Sequence, residues 1–231
     1  TPAKNIRLDG ITVTDRHNHL TGSPAPMRDV AAVGAWHGNS DGPAIHAPLD
    51  DPYDGWHSED CFVMAADTNL LISGRARVRN YTVWQLANAE SVWIRQTVDG
   101  SLVDGLQVIA HHQWGQRGQV FNAILRGRDT WRHLTVRNIL IESPFLPVLF
   151  RLTNDGQEDG PACTDVRFEN VTVQTGAIAA KSPVGGGRPG SLGRVLFRNL
   201  VINGVKVTAA NCRDYFELAE GVIPGREVVF E

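Results

Sequence analysis

The feature that most restricts the fold of this chain is a short unit that recurs along its length: apolar, x, apolar, x, then Asn, Asp or Gly, then apolar, x, apolar. It reads Ile6-Arg7-Leu8-Asp9-Gly10-Ile11-Thr12-Val13 near the start. It returns as Val78-Arg79-Asn80-Tyr81-Thr82-Val83 and as Val103-Asp104-Gly105-Leu106-Gln107-Val108. Further copies are Leu134-Thr135-Val136-Arg137-Asn138-Ile139-Leu140-Ile141, Val166-Arg167-Phe168-Glu169-Asn170-Val171-Thr172-Val173 and Phe197-Arg198-Asn199-Leu200-Val201-Ile202, with a weaker one at Asp60-Cys61-Phe62-Val63. Alternation with period two specifies strands. The Asn, Asp or Gly between two strands tolerates left-handed backbone and so marks a bend.

The bends fall at residues 10, 60, 80, 105, 138, 170 and 199, in steps of 50, 20, 25, 33, 32 and 29 residues. Reading the step of 50 as two coils gives a solenoid of about eight coils. Antiparallel sandwiches place turn signals closer together, at ~8–12 residues, and no segment carries the long 3.6-residue apolar period that an α/β fold needs. The expectation is an all-β chain, a right-handed parallel β-helix forming a single domain over residues 1–231. Each coil covers its apolar inner side chains only by stacking on its neighbours, ~4.8 Å apart. Asn80, Asn138, Asn170 and Asn199 then line up as a ladder of amides at equivalent bends.

Charge narrows the function. With 22 Lys+Arg against 25 Asp+Glu the net charge is −3, so the chain lacks the basic footprint of a nucleic-acid or anionic-membrane binder. No apolar run reaches the ~18 residues of a membrane span. The chain is already in repeat pattern within ten residues, where a solenoid end would carry a cap, and it reads as a portion of a longer protein. Cys61, Cys163 and Cys212 form no ligand spacing and read as buried small residues. His111-His112, neighbours on a strand, point to opposite faces. No metal or cofactor is expected, no Gly-x-Ser-x-Gly elbow is present, and the chain reads as a monomer.

The six tryptophans and eight histidines all lie between residues 17 and 133. A packing requirement would spread them over every coil, so the polarity marks one functional end, and rigid aromatic faces suit a sugar ring. There, Asp41 closes Val33-Gly34-Ala35-Trp36-His37-Gly38-Asn39-Ser40-Asp41-Gly42, and Asp67 follows 26 residues later in Cys61-Phe62-Val63-Met64-Ala65-Ala66-Asp67-Thr68-Asn69. If that interval is one coil, the two carboxylates share a face of adjacent rungs. Such a pair is what glycoside hydrolysis uses, one protonated for the leaving oxygen and one ionised to activate water. Aligning Leu70-Leu71-Ile72 with Val92-Trp93-Ile94 sets Thr68 opposite Glu90 on the next coil. Glu90 could then reach toward the water site and help hold Asp67 protonated; the alternative is a solvated Glu on a loop shoulder.

These same segments resemble glycoside hydrolase family 49, the dextranase and isopullulanase group, within the polygalacturonase-like β-helix clan. Val33-Gly34-Ala35-Trp36 followed by Ser40-Asp41-Gly42 is similar to the family's strand ending in Thr-Asp-Gly, Cys61-Phe62-Val63 with Ala66-Asp67-Thr68 to its Asn-Asp-Asp segment, and Val78 to Trp84 with Asn88-Ala89 to its next coil. The resemblance implies a right-handed, pectin-lyase-like β-helix, secreted or periplasmic, that cleaves an α-linked glucan or related polysaccharide with inversion. It makes Asp67 the general acid and Asp41 a base-side aspartate. Thr68 stands where the family has its second Asp, Ala66 replaces Asn, and Leu71 replaces Lys, so Asp41, Asp67 and Glu90 are the catalytic candidates. Trp36, His37, Asn39, Trp56, His57, Asn88 and Trp93 are the substrate-binding candidates. Two rival readings are a carbohydrate-binding or adhesive β-helix whose catalytic centre has decayed and a pectin-type hydrolase, although the Arg-x-Lys motif expected of the latter is absent.

Overall fold

The computed structural model describes residues 7–9, 12–14, 44–46, 56–65, 68–85, 90–111, 119–126, 129–155, 162–186 and 191–231. In chain order the first strands are β1 (Arg7–Asp9), β2 (Thr12–Thr14), β3 (Ala44–His46), β4 (Trp56–Ala65), β5 (Leu70–Gly74) and β6 (Ala76–Gln85). They continue with β7 (Val92–Asp99), β8 (Leu102–His111), β9 (Gln119–Arg126), β10 (Trp131–Ser143), β11 (Val148–Asp155) and β12 (Cys163–Thr175). The last are β13 (Ser182–Gly186), β14 (Gly193–Ile202), β15 (Val205–Lys206), β16 (Phe216–Leu218) and β17 (Val228–Phe230), with a four-residue helix α1 (Cys212–Tyr215) before β16.

Two parallel ladders carry the chain. In the first, β1 and β2 both pair with β4, and β6, β8, β10, β12, β14 and β17 follow in turn. In the second, β3 pairs with β5, then β7, β9, β11, β13 and β16 follow. The chain thus alternates between ladders and advances one rung per circuit, which is a parallel β-helix. Among the described residues the one antiparallel pairing is the hairpin of β14 with β15. Its turn residues Asn203 and Gly204 have φ of 49° and 79°, as a tight two-residue hairpin requires.

The bends lie where the repeat places them. Asp60, Asn80, Gly105, Asn138, Asn170 and Asn199 all have positive φ, from 51° to 78°. Each sits inside a long strand of the first ladder and flips its alternation. In β10 the inward alternation around the bend runs through Leu134 and Val136 before it but Ile139 and Ile141 after it, so both arms keep their apolar side chains inside the coil. The Asn80 amide donates to Asp60 at 2.6 Å, Asn170 to Asn138 at 3.1 Å, and Asn199 to Asn170 at 3.2 Å. Gly105 interrupts the ladder, and Asn138 turns its amide to Asp104 instead, at 2.7 Å.

The coil count differs from the expected eight. Arg7 pairs with His57 and Thr12 with Phe62, so the step of 50 residues between Gly10 and Asp60 is a single coil with a long excursion rather than two coils. At the other end β17 adds only three residues of a further rung. A second column of left-handed residues also appears that the repeat did not reveal, at Gly100, His133 and Asp165. It turns the chain where it enters the first ladder.

The interior is a stack of aliphatic side chains that gives way to phenylalanines toward the last coils. Phe121 stacks on Phe150 at 5.2 Å, Phe168 on Phe197 at 5.3 Å, and Phe197 on Phe230 at 5.3 Å, while Phe150 meets Phe168 edge-on across the two ladders at 5.1 Å. Cys61, Cys163 and Cys212 are buried in this core, and burial pushes the Cys163 thiol up to about 12. Outside, the residue just before each bend forms a charge ladder. Glu59, Arg79, Asp104, Arg137, Glu169 and Arg198 succeed one another in register. Arg137 grips Asp104 through two nitrogens at 2.7 and 3.0 Å, and Arg198 spans Glu169 at 3.0 Å and Glu231 at 3.2 Å.

Candidate functional site

Of the candidates that the structure describes, Glu90 and Trp93 belong to the second ladder. Leu70 pairs with Val92, Leu71 with Trp93 and Ile72 with Ile94, the register expected from the sequence. It extends backward: the Asn69 N–H donates to the Glu90 carbonyl at 3.2 Å, and the Leu70 N–H to Ser91 at 3.1 Å. Thr68 therefore stands beside Glu90, and its hydroxyl donates to the Glu90 carboxylate at 3.2 Å.

Glu90 is not the solvated shoulder residue of the alternative reading, being only 3% exposed. Its other carboxylate oxygen accepts from the amide of Asn122, on the coil beyond. One carboxylate thus ties three successive coils together, through Thr68, Glu90 and Asn122. A buried carboxylate is tolerable only with donors of this kind around it. The seam continues with Asn69, whose amide donates to Gln85; both side chains are fully buried. Asn122 keeps one unsatisfied atom, its buried carbonyl oxygen.

Three residues beyond Glu90, on β7, Trp93 lies half-buried on the outer face of the ladder. Asn122 is its register partner on β9, and Arg151 is the partner of Asn122 on β11. The Arg95 guanidinium sits over the Trp93 ring, 5.1 Å from its centroid, a cation–π contact. The indole N–H of Trp93 is buried without an acceptor.

The remaining candidates divide. Trp56 packs against the core at the start of β4, and His57 lines a cleft of the first ladder with Glu59, Arg77, Arg79 and Leu102. Trp93 lines a different cleft, so the structure does not gather His57 and Trp93 into one groove. Asp41, Asp67, Trp36, His37, Asn39 and Asn88 lie outside the described residues, as do the side chains of His111 and His112. Asp41 and Asp67 each precede a strand of the second ladder by three residues, and those strands, β3 and β5, pair with Ala44 opposite Leu71.

Reading the sequence missed Asn122, Arg95 and Asp129. Asn122 had a signal: in Gln119-Val120-Phe121-Asn122-Ala123-Ile124-Leu125 it is the polar break in an apolar strand. A wider cleft of about 680 Å³ over β12 and β14 is rich in arginine, but Arg167 is paired with Asp165, Arg198 with Glu169 and Glu231, and Arg226 with Glu227. Three of its four arginines are thus ion-paired, and the cleft lies away from the polar seam.

Among the described residues no group of three or more His, Cys, Asp or Glu side chains could hold a metal ion, and no helix is long and apolar enough to cross a membrane. No family model, curated protein or solved structure matches the chain.

Proposed function

We propose that the chain is a polysaccharide-degrading glycoside hydrolase on a right-handed, pectin-lyase-like β-helix, acting with inversion on an α-linked glucan or related polymer. The observation that carries the reading is the bridge of Thr68, Glu90 and Asn122 across three coils of the second ladder. It fixes Thr68, the chain neighbour of Asp67, in a polar seam that leads to the half-buried face bearing Trp93. In this reading Asp67 is the general acid and Asp41 the base-side carboxylate. Inversion asks for carboxyls about 6.5–9.5 Å apart, with a water between them. Glu90 acts as a positioning residue, because its oxygens are taken up by Thr68 and Asn122. A monomeric protein, secreted or periplasmic, meeting its polymer outside the cytoplasm, completes the proposal.

A second reading is favoured by one observation. Thr68 occupies the place of the resembled family's second aspartate, and its hydroxyl is engaged as a donor to Glu90. A β-helix that binds glycan with a decayed catalytic centre would look the same there. Release of reducing ends from dextran, pullulan, polygalacturonate and arabinan separates the two. Hydrolysis of one of them, abolished by Asp67→Asn and by Asp41→Asn, with the new end formed in the inverted anomeric configuration, supports the enzyme. No release from any polymer, together with retardation of the protein in a polysaccharide-containing gel, supports the binding module.

A further inference from the structure

Beyond Ile94, strand β7 departs from its neighbour. Ile72 pairs with Ile94, but the next pair is Gly74 with Val98, so Arg95-Gln96-Thr97 form a bulge with Gln96 at φ 59°. A non-glycine residue holds that conformation only when its surroundings impose it, and here they do. The buried Trp131 indole donates to the Gln96 carbonyl at 3.1 Å. The Val98 N–H donates to Thr130 at 2.9 Å, and the Thr130 N–H reaches the Thr97 hydroxyl at 3.4 Å. Bulges re-aim side chains and are common beside binding sites. This one opens a cleft of about 280 Å³ lined by Trp93, Arg95, Gln96, Ile124 and Asp129.

The geometry points to this cleft as a binding subsite for one neutral, hydroxyl-rich sugar residue of the polymer. Its volume lies just below the range of pockets that enclose drug-sized ligands, which suits a single ring better than a run of them. Ile124 supplies an apolar wall for the C–H face of a pyranose, and Trp93, whose ring carries the Arg95 guanidinium, closes the wall beside it. Arg95 and Gln96 present donors and Asp129 an acceptor, so vicinal hydroxyls find both kinds of partner. The cation and the anion on one rim offset each other. A uronate would meet the Asp129 carboxylate, and an amino sugar the Arg95 guanidinium. The inference rests on the hydrolase reading and extends it: the subsite begins three residues from Glu90, and Asn122 links the two by register with Trp93 and by its amide to Glu90.

The test is to follow the indole resonances of the ¹⁵N-labelled chain, with Trp93 assigned through Trp93→Phe, during titration with isomaltotriose and with trigalacturonate. The expected result is a saturable shift of the Trp93 indole with isomaltotriose and none with trigalacturonate. Arg95→Ala and Asp129→Asn should each weaken isomaltotriose binding about tenfold, as loss of one well-formed polar contact does. A Trp93 indole that stays put while the chain releases reducing sugar from dextran overturns the subsite and leaves the hydrolase standing. Saturable trigalacturonate binding that Arg95→Ala abolishes overturns the neutral-sugar assignment. Absence of binding, with no hydrolysis of any of the four polysaccharides, removes the hydrolase reading and the subsite with it.

Discussion

Asn170 donates its side-chain amide to the carbonyl oxygen of Asn138, one coil earlier, at 3.1 Å, and both residues have left-handed backbone, φ 53° and 56°. Two contributions are joined at each such position: a conformation that Ala adopts only at a cost of ~1–2 kcal/mol, and amide hydrogen bonds worth ~0.5–1.5 kcal/mol each at most on an exposed face. Replacement by two different residues separates them. Asn170→Gly keeps the backbone and loses the amide, so a loss of ~1 kcal/mol is expected. Asn170→Ala loses both and should cost ~2–3 kcal/mol. Urea denaturation of the two variants checks this; equal losses would mean that the amide ladder, not the bend, carries the stability.

Gly105 is the position where that ladder breaks, at φ 78°, and a Cβ built there would come no closer than 3.4 Å to the Asn80 backbone. Asn tolerates the left-handed region, and replacing Gly reduces the freedom of the unfolded chain by ~0.4–1 kcal/mol. At φ 78° a side chain is strained whatever the space around it, which offsets that gain, so Gly105→Asn is expected to leave Tm close to that of the parent. A clear drop in Tm would show that the backbone strain outweighs the lost freedom of the unfolded chain.

The bends were legible because each is imposed by residue type: Asn80, Asn138, Asn170 and Asn199 tolerate positive φ at a fixed place in an alternating pattern, and nothing tertiary needs to be known. The register of Leu70-Leu71-Ile72 on Val92-Trp93-Ile94 was legible because two like apolar triplets recur one coil apart in sequence, and the pairing follows that match. The extent of the first coil was not, because spacing alone does not distinguish one coil with a long excursion from two coils; the pairing of Arg7 with His57 decides it. Nor was the second bend column at His133 and Asp165, whose residue types carry a weaker left-handed preference than Asn or Gly. At the site, Glu90 was found by register. Its burial was not, because that depends on Asn122, 32 residues away. The bulge at Gln96 is likewise held by a tertiary contact, from Trp131.

Acid should weaken the outer charge ladder in a definite direction. Hydrogen bonds from Arg137 hold the Asp104 carboxyl below its usual range, against a smaller opposing effect of burial. A carboxylate with a depressed folded-state pKa contributes stability above its unfolded value and loses it as pH falls through the folded one. With an ordinary Asp near ~3.9, the loss is expected below about pH 4. The pair is part-exposed, so its worth is set at ~0.5–1 kcal/mol. Asp104→Asn should lower the urea midpoint near neutrality and flatten its decline between about pH 4 and pH 2. An unchanged acid limb in the variant would assign that limb to other carboxylates.

The role of Glu90 can be separated from chemistry by asking what its amide analogue would do. In Glu90→Gln, one side-chain oxygen remains to accept from Thr68. The new NH₂ would face the Asn122 amide donor, but Asn122 has a buried carbonyl oxygen without a partner, and a half-turn of its amide offers that oxygen instead. The bridge across three coils can thus be rebuilt with neutral groups, and the expected loss of stability is below ~1 kcal/mol. Glu90→Ala cannot be repaired in this way. It removes the carboxylate to which the Thr68 hydroxyl donates and leaves the buried Asn122 amide without its acceptor, at ~1–3 kcal/mol for the amide. If Glu90 positions Thr68 beside Asp67, turnover on the active polysaccharide should stay within a few-fold of the parent in Glu90→Gln and fall with stability in Glu90→Ala, whereas Asp67→Asn abolishes it with the fold intact. Turnover lost in Glu90→Gln at parental stability would instead make the Glu90 charge itself part of the reaction, with Glu90 standing in for the aspartate that Thr68 replaces.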